Sequence, residues 1–181
     1  ACSAALTSAL RTQIKRGKLP GMSEIDAESG AGMTVLAMGK MGAAELNYSS
    51  DIDLICLFDE SRFDPSDFHD ARTAFVRATR AMSGLLNDLT GDGYVFRTDL
   101  RLRPDPAVTP VCMAMEAAER YYESLGRTWE RAAYIKARYP RDYQISEEQL
   151  AWLGMHAKRL TELVETSCRA RLAQLDEQAA E

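Results

Sequence analysis

Two short apolar runs, joined by a glycine-containing linker that ends in acids, constrain this chain more than any other feature. Met33 to Met38 (MTVLAM) is β-prone and stops at Gly39, and Ile52-Asp53-Leu54-Ile55-Cys56-Leu57-Phe58 is a second strand, apolar on both faces after its first residues. Along an extended strand, side chains i and i+2 share a face, so Asp51 and Asp53 point the same way at the start of a buried strand. Two carboxylates so placed repel each other, and the usual relief is a divalent cation with oxygen ligands, typically magnesium shared with phosphate oxygens. A lone D-x-D more often caps a strand and stays in water, so the pair gains meaning only from its surroundings.

A third acid supplies them. Tyr94 to Arg103 alternates with period two: Tyr94, Phe96, Thr98, Leu100 and Leu102 form a mostly apolar face, and Arg97, Asp99, Arg101 and Arg103 the other. If this segment is a strand beside the Ile52 strand, three carboxylates converge with guanidinium groups next to them. Carboxylates for metal and arginines for phosphate are what phosphoryl or nucleotidyl transfer needs.

Gly39-Lys40-Met41-Gly42 is not a Walker A loop, which needs a glycine where Thr34 stands and Ser or Thr after Lys40, nor is it G-x-G-x-x-G. The two glycines permit close backbone approach, with amides at a helix N-terminus facing an anion.

Three ordered motifs, G-K-M-G with E-L-N-Y-S-S-D-I-D-L-I, T-D-L-R-L-R-P, and G-R-T-W-E-R-A-A-Y-I-K-A-R, together resemble the glutamine synthetase adenylyltransferase/deadenylylase family of polymerase-β-like nucleotidyltransferases. The resemblance runs from about Val35 to Arg138. It implies an α+β fold, a mixed β-sheet flanked by helices, with a C-terminal helical segment. It also implies that Asp51, Asp53 and Asp99 are catalytic and bind Mg2+, two ions by the two-metal logic, with Mn2+ able to substitute. Gly39, Lys40, Gly42, Ser49 and Ser50 would form the family's triphosphate-holding turn, and Arg101, Arg103 and Lys136 would offset the remaining charge. Without the resemblance, Lys136 reads as a solvated helix charge.

The implied partners are glutamine synthetase as protein substrate, ATP, ADP and phosphate, and, through a longer enzyme, the PII signalling protein and glutamine. Of the two halves of such enzymes, the W-E-R-A-A-Y-I-K-A-R run and the E-L-N-Y-S-S-D-I-D block look more like the deadenylylating one, which removes AMP from a tyrosine with phosphate to give ADP. The adenylylating half, a generic small-molecule or nucleic-acid nucleotidyltransferase and a non-catalytic partner-binding module are the alternatives, the acidic balance arguing against nucleic acid.

Composition limits the remaining classes. A net charge of −5 argues against general nucleic-acid binding, so any electropositive patch must be local. Cys2, Cys56, Cys112 and Cys168 lie far apart without a C-x-x-C pair, the pattern of reduced thiols in a cytoplasmic protein, and His69 and His156 give no zinc signature. No apolar run approaches roughly 18 residues and no signal-like leader is present, so membrane insertion is not expected. A start without methionine and a close in helical pattern read as a piece of a longer protein.

The expected organisation is an N-terminal helix and loop over 1–32, a nucleotidyltransferase core over 33–140 and a helical segment over 141–181. Within it, Ala1 to Arg16 reads as a helix stopped at Gly17, and Lys18 to Gly32 as a loop. Ser66 is placed as the N-cap of a helix striped by Phe68, Ala71, Phe75, Ala78, Met82, Leu85 and Leu89. Ala114 to Leu125 is a further helix; Thr128 caps the next, which carries Trp129 as a core anchor and Lys136. Ser146 to Arg171 follows as a long amphipathic helix.

Overall fold

A computed structural model describes residues 1–138; the expected helix over 146–171 and the 141–181 segment lie outside the described residues. The element order is α1 (Cys2–Lys15), a 3-10 turn (Asp26–Ser29), β1 (Met33–Ala37), α2 (Gly39–Gly42), β2 (Ile52–Phe58), a 3-10 turn (Glu60–Arg62), α3 (Phe68–Asn87), β3 (Thr98–Asp99), β4 (Cys112–Ala114), α4 (Met115–Ser124), α5 (Thr128–Ala133) and a 3-10 turn (Tyr134–Lys136). The chain is thus a mixed α+β domain, with a mixed sheet flanked by helices.

Strand β2 is the centre of that sheet. It pairs antiparallel with β1, from Met33 opposite Phe58 to Ala37 opposite Leu54. Its other edge carries two short parallel partners: β3 beside Ile52 and Asp53, then β4 beside Cys56 to Phe58. The period-two side-chain rule divides these strands between two cores. Met33, Val35, Ala37, Ile52, Leu54, Cys56 and Phe58 face α1 and α3. Leu36, Met38, Ile55 and Leu57 face Met113, Met115, Ala118 and Tyr122 of the β4–α4 unit. Both faces are covered, which explains why β1 and β2 are continuous apolar runs.

Helix α1 presents Ala5, Leu6, Ala9 and Leu10 inward, and α3 answers with Ala71, Ala74, Phe75, Ala78 and Met82. Alanines on both sides let the two helices approach closely. Phe75 stacks on Phe58 with ring centroids 4.9 Å apart and takes Phe63 edge-on at 5.6 Å, joining α3 to the end of β2. Gly17, at φ +65°, ends α1 with its N–H on the Ile14 carbonyl.

Several local expectations need correction. The period-two segment Tyr94–Arg103 is not a ten-residue strand: only Thr98 and Asp99 pair with β2, while Val95 and Phe96 donate to the Leu86 carbonyl and the chain turns away after Asp99. The N-cap of α3 is Asp67, not Ser66, and near the helix end the buried position is Leu86, with Leu85 and Leu89 exposed. Trp129 is 58% exposed, so it is no core anchor; the inward residue of its helix is Glu130, which accepts from the Arg127 N–H at 2.7 Å and from the Tyr121 hydroxyl at 3.0 Å. Arg127, not Thr128, is the cap of α5, and Lys136 sits in the 3-10 turn after that helix. Strand β4, for which the residue pattern gives no expectation, is three residues long and fully buried.

Candidate active site

The short β2–β3 pairing builds the site. Ile52 lies opposite Thr98 and Asp53 opposite Asp99 in parallel register, with the Ile52 N–H on the Arg97 carbonyl at 2.8 Å. Parallel neighbours in register share a face, so Asp53 and Asp99 stand side by side, and Asp51 precedes them by one strand step.

Arginines grip two of the three acids. The Arg97 guanidinium donates from Nε to Asp51 Oδ1 at 2.5 Å and from Nη2 to the Ser49 carbonyl at 2.6 Å, and it lies over the Tyr94 ring at 6.0 Å. Arg101 forks onto Asp99, with Nε at 2.9 and 3.0 Å from the two oxygens and Nη2 at 2.5 Å from Oδ2; its backbone N–H adds a bond to Oδ1 at 2.8 Å.

The Asp53 carbonyl accepts from the Met38 N–H at 2.9 Å, but its carboxylate accepts no hydrogen bond among the described residues. Partial burial, then the neighbouring charges of Asp99 and Asp51, raise its carboxyl above the ordinary value, with Arg101 opposing. Asp99 is lowered, chiefly by the hydrogen bond from Arg101. The three acids are therefore electrostatic neighbours. Among the described residues, however, no three His, Cys, Asp or Glu side chains already form a metal-ligating group: Asp51 and Asp99 direct their oxygens at guanidinium groups.

The two glycines of the Gly39–Gly42 turn serve different purposes. Gly39, at φ +52°, lies so close to Asp53 that a Cβ would stand 2.9 Å from Oδ2, so it makes room for the unpaired carboxylate. Gly42 is buried and faces away from that carboxylate: a Cβ there would meet the Lys136 carbonyl at 2.0 Å and the Ala37 carbonyl at 2.5 Å. Beside it, Ala37 and Arg138 exchange both backbone hydrogen bonds, at 2.7 and 2.9 Å. Gly42 is where residues 134–138 close onto the turn, and that contact delivers Lys136, whose Nζ stands 3.4 Å from Glu45 Oε2.

The other expected residues divide. Lys40 is exposed on the turn, and Ser49 and Ser50 belong to the tight loop before Asp51, Ser49 at φ +65° with its carbonyl held by Arg97. Arg103 is drawn away: its guanidinium donates to the carbonyls of Leu100, Pro106 and Thr109 and braces the loop that Pro104 and Pro106 create. Two participants lie outside the expected phosphate-binding set: Arg97, expected only as part of the guanidinium face, pairs with Asp51, and Glu45 pairs with Lys136. The spacing held a signal for Arg97, which precedes Asp99 by two residues as Arg101 follows it by two; nothing in the spacing linked Glu45 to a residue ninety-one positions on.

Fold and site together define a small mixed α+β domain with a carboxylate–guanidinium cluster at the start of its central strand, beside a glycine turn. The profile of the family described as glutamate-ammonia ligase adenylyltransferase matches residues 2–151, and the chain belongs to that family. It is 58% identical over 134 residues to a bifunctional glutamine synthetase adenylyltransferase/adenylyl-removing enzyme of Bradyrhizobium sp. (strain BTAi1 / ATCC BAA-1182), covering 74% of this chain and 14% of that protein. Proteins of the same name from Rhizobium meliloti (strain 1021) and Caulobacter vibrioides (strain ATCC 19089 / CIP 103742 / CB 15) are 49% and 47% identical, covering 76% and 75% of this chain and 14% of each relative. The chain thus spans about one seventh of the length of these relatives.

Proposed function

We propose that this chain is the catalytic core of a cation-dependent nucleotidyltransferase of polymerase-β-like fold, from the deadenylylating half of an enzyme that acts on glutamine synthetase. The carrying observation is the in-register pairing of Asp53 with Asp99, with Asp51 one strand step earlier and Arg97 and Arg101 on the outer two acids. The names of the relatives supply the protein substrate and the reaction class. The choice of half rests on the W-E-R-A-A-Y-I-K-A-R and E-L-N-Y-S-S-D-I-D runs. A cytoplasmic setting, with ATP, ADP and phosphate as nucleotide partners and glutamine and the PII protein as regulators of the longer enzyme, belongs to the same proposal.

The donor set fits a hard divalent cation: three carboxylates, of which Asp53 is unpaired and its charge strained by two neighbours. Asp51, Asp53 and Asp99 would hold it. Bound there, one or two Mg2+ ions, or Mn2+ in their place, supply Lewis-acid neutralisation of phosphate oxygens.

The chain's own groups do the rest. Gly39 keeps the backbone close to Asp53, and the exposed Lys40 stands where phosphate oxygens arrive. Lys136, delivered through the Gly42 contact, offsets further phosphate charge, and Arg101 passes from Asp99 to a phosphate. In the reaction, an oxygen of inorganic phosphate forms a bond to the AMP phosphorus. The bond from that phosphorus to the tyrosine oxygen breaks, the phenolate takes a proton, and ADP leaves.

Incubating the 181-residue chain with AMP-modified glutamine synthetase, phosphate and Mg2+ tests this: ADP appears with unmodified synthetase. Transfer of AMP from ATP to the tyrosine without ADP release from the modified protein would assign the chain to the adenylylating half instead.

A further inference from the structure

We propose that Arg97 and Arg101 are resident counter-cations of the acid cluster, which hold Asp51 and Asp99 in place until a divalent cation displaces them. This rests on the cation site proposed above and concerns the state of the protein before cation and nucleotide arrive.

The geometry carries it. Three carboxylates on one short stretch of sheet repel one another, and a fold that gathers them without a counter-charge destabilises itself. Here the relief is built in. Arg101 covers both oxygens of Asp99 and Arg97 covers Oδ1 of Asp51, and both arginines come from the segment that supplies Asp99. A carboxylate has about four lone-pair positions. Arg101, with its side chain and its own N–H, uses most of those on Asp99, so a metal cannot ligate Asp99 fully while the fork stays closed.

Asp53 is left free between the two pairs, the one acid a cation meets without displacing anything. Release is cheap at the arginine ends: both guanidinium groups are in solvent, with side chains 51% and 82% exposed for Arg97 and Arg101. Both partners of the Arg97–Asp51 pair are exposed, and such pairs are weak enough to exchange; Asp99 is only 18% exposed, so its pair opens from the arginine end. Arg103 differs, since its donors are fixed on loop carbonyls and it has no carboxylate to yield. Cation binding to the empty protein is therefore opposed by the two pairs. When a nucleotide phosphate is present, a released guanidinium has an anion to move to, which couples cation binding to phosphate binding.

Mn2+ binding to the 181-residue chain without nucleotide, read by electron paramagnetic resonance, tests this in wild type, Arg101→Lys, Arg101→Gln and Asp53→Asn. Arg101→Lys keeps the charge and loses the two-pronged fork; Arg101→Gln loses both. The expected result is tighter Mn2+ binding in both arginine variants, by about three- to tenfold, and loss of Mn2+ binding in Asp53→Asn, where the free-Mn2+ spectrum keeps its full amplitude. Tightening in Arg101→Gln alone, or in neither, overturns the proposal while the Asp53-dependent binding leaves the cation site standing. No Asp53-dependent Mn2+ binding in any variant, with or without ATP, overturns both. Thermal melts confirm that each variant is folded; Arg101 is too exposed for its loss to threaten the core.

Discussion

Replacing Gly42 with alanine separates a packing glycine from a phosphate-cradling one. In an exposed helical turn, glycine to alanine stabilises by about 0.5–1 kcal/mol, because the unfolded chain loses freedom. Gly42 has no positive φ to oppose that gain. Its surroundings do: the new Cβ would stand 2.0 Å from the Lys136 carbonyl oxygen and 2.5 Å from that of Ala37, and both obstacles are backbone. Overpacking costs about 1–3 kcal/mol. Forcing the two segments apart also breaks the paired hydrogen bonds between Ala37 and Arg138, each contributing about 0.5–1.5 kcal/mol. Set against the entropic gain, the net is a destabilisation of about 1–5 kcal/mol. Where residues 134–138 detach instead of the sheet straining, the loss is local. Urea denaturation reads the first outcome, and hydrogen exchange at the Ala37 and Arg138 amides reads the second. Gly39→Ala should behave differently. Its φ of +52° costs about 1–2 kcal/mol, but the Cβ meets only the movable end of Asp53, so the Ala37 and Arg138 amides stay protected. A Gly42→Ala protein as stable as wild type, with both amides protected, would refute the reasoning.

Other outcomes follow from the same geometry. Leu86→Ala should cost about 2–5 kcal/mol and Leu85→Ala less than about 0.5, because only Leu86 faces the core; equal costs in thermal melts would mean that the phase of α3 is wrong. Cys56 and Cys112 should resist alkylation in the native protein and react on unfolding, as read by peptide mass mapping, because burial raises both thiols, Cys56 to about 12. Asp53 carries a pH signature: its raised carboxyl binds a proton more tightly folded than unfolded, so its contribution to stability is fully present below the ordinary value of 3.8 and is lost as pH rises through the elevated one. Asp99, being lowered, runs the other way, its contribution present above 3.8 and lost as pH falls through the depressed value. Asp53→Asn removes the first effect, so its urea midpoint should gain on wild type as pH rises from 3.8 through the elevated value and then level off; a constant difference would contradict the assignment.

Much of this arrangement could be read from the residues because burial leaves a pattern. Strands covered on both faces must be apolar throughout, so Met33–Met38 and Ile52–Phe58 were visible, and the alternation of strand side chains put Asp51 and Asp53 together. Tyr94–Arg103 shows the limit. Its alternation is equally clear, yet the segment turns away after Asp99, and Arg103 binds loop carbonyls where phosphate was expected. Period two records which residues face which way, not whether a partner strand runs alongside. Cys112–Ala114 is too short for any period to register, although it covers half of one edge of β2. Trp129 misled through its size: large apolar residues are mostly buried, but the six residues of α5 turn Glu130 inward to take the Tyr121 hydroxyl and the Arg127 N–H. Gly42 offered a fourth lesson. A glycine needed for the approach of a carbonyl ninety-four residues later has the same one-letter code as a glycine needed for a phosphate, and only coordinates separate them.

The proposed activity rests on Asp53, the unpaired carboxylate at the centre of the cluster. The direct measurement is phosphate-dependent ADP release from AMP-modified glutamine synthetase by wild type and Asp53→Asn, at equal concentration and with thermal melts alongside. The predicted result is turnover by wild type and none by a variant that melts at least as high, since removing a strained charge does not weaken the fold. Near-normal ADP release by folded Asp53→Asn would contradict it.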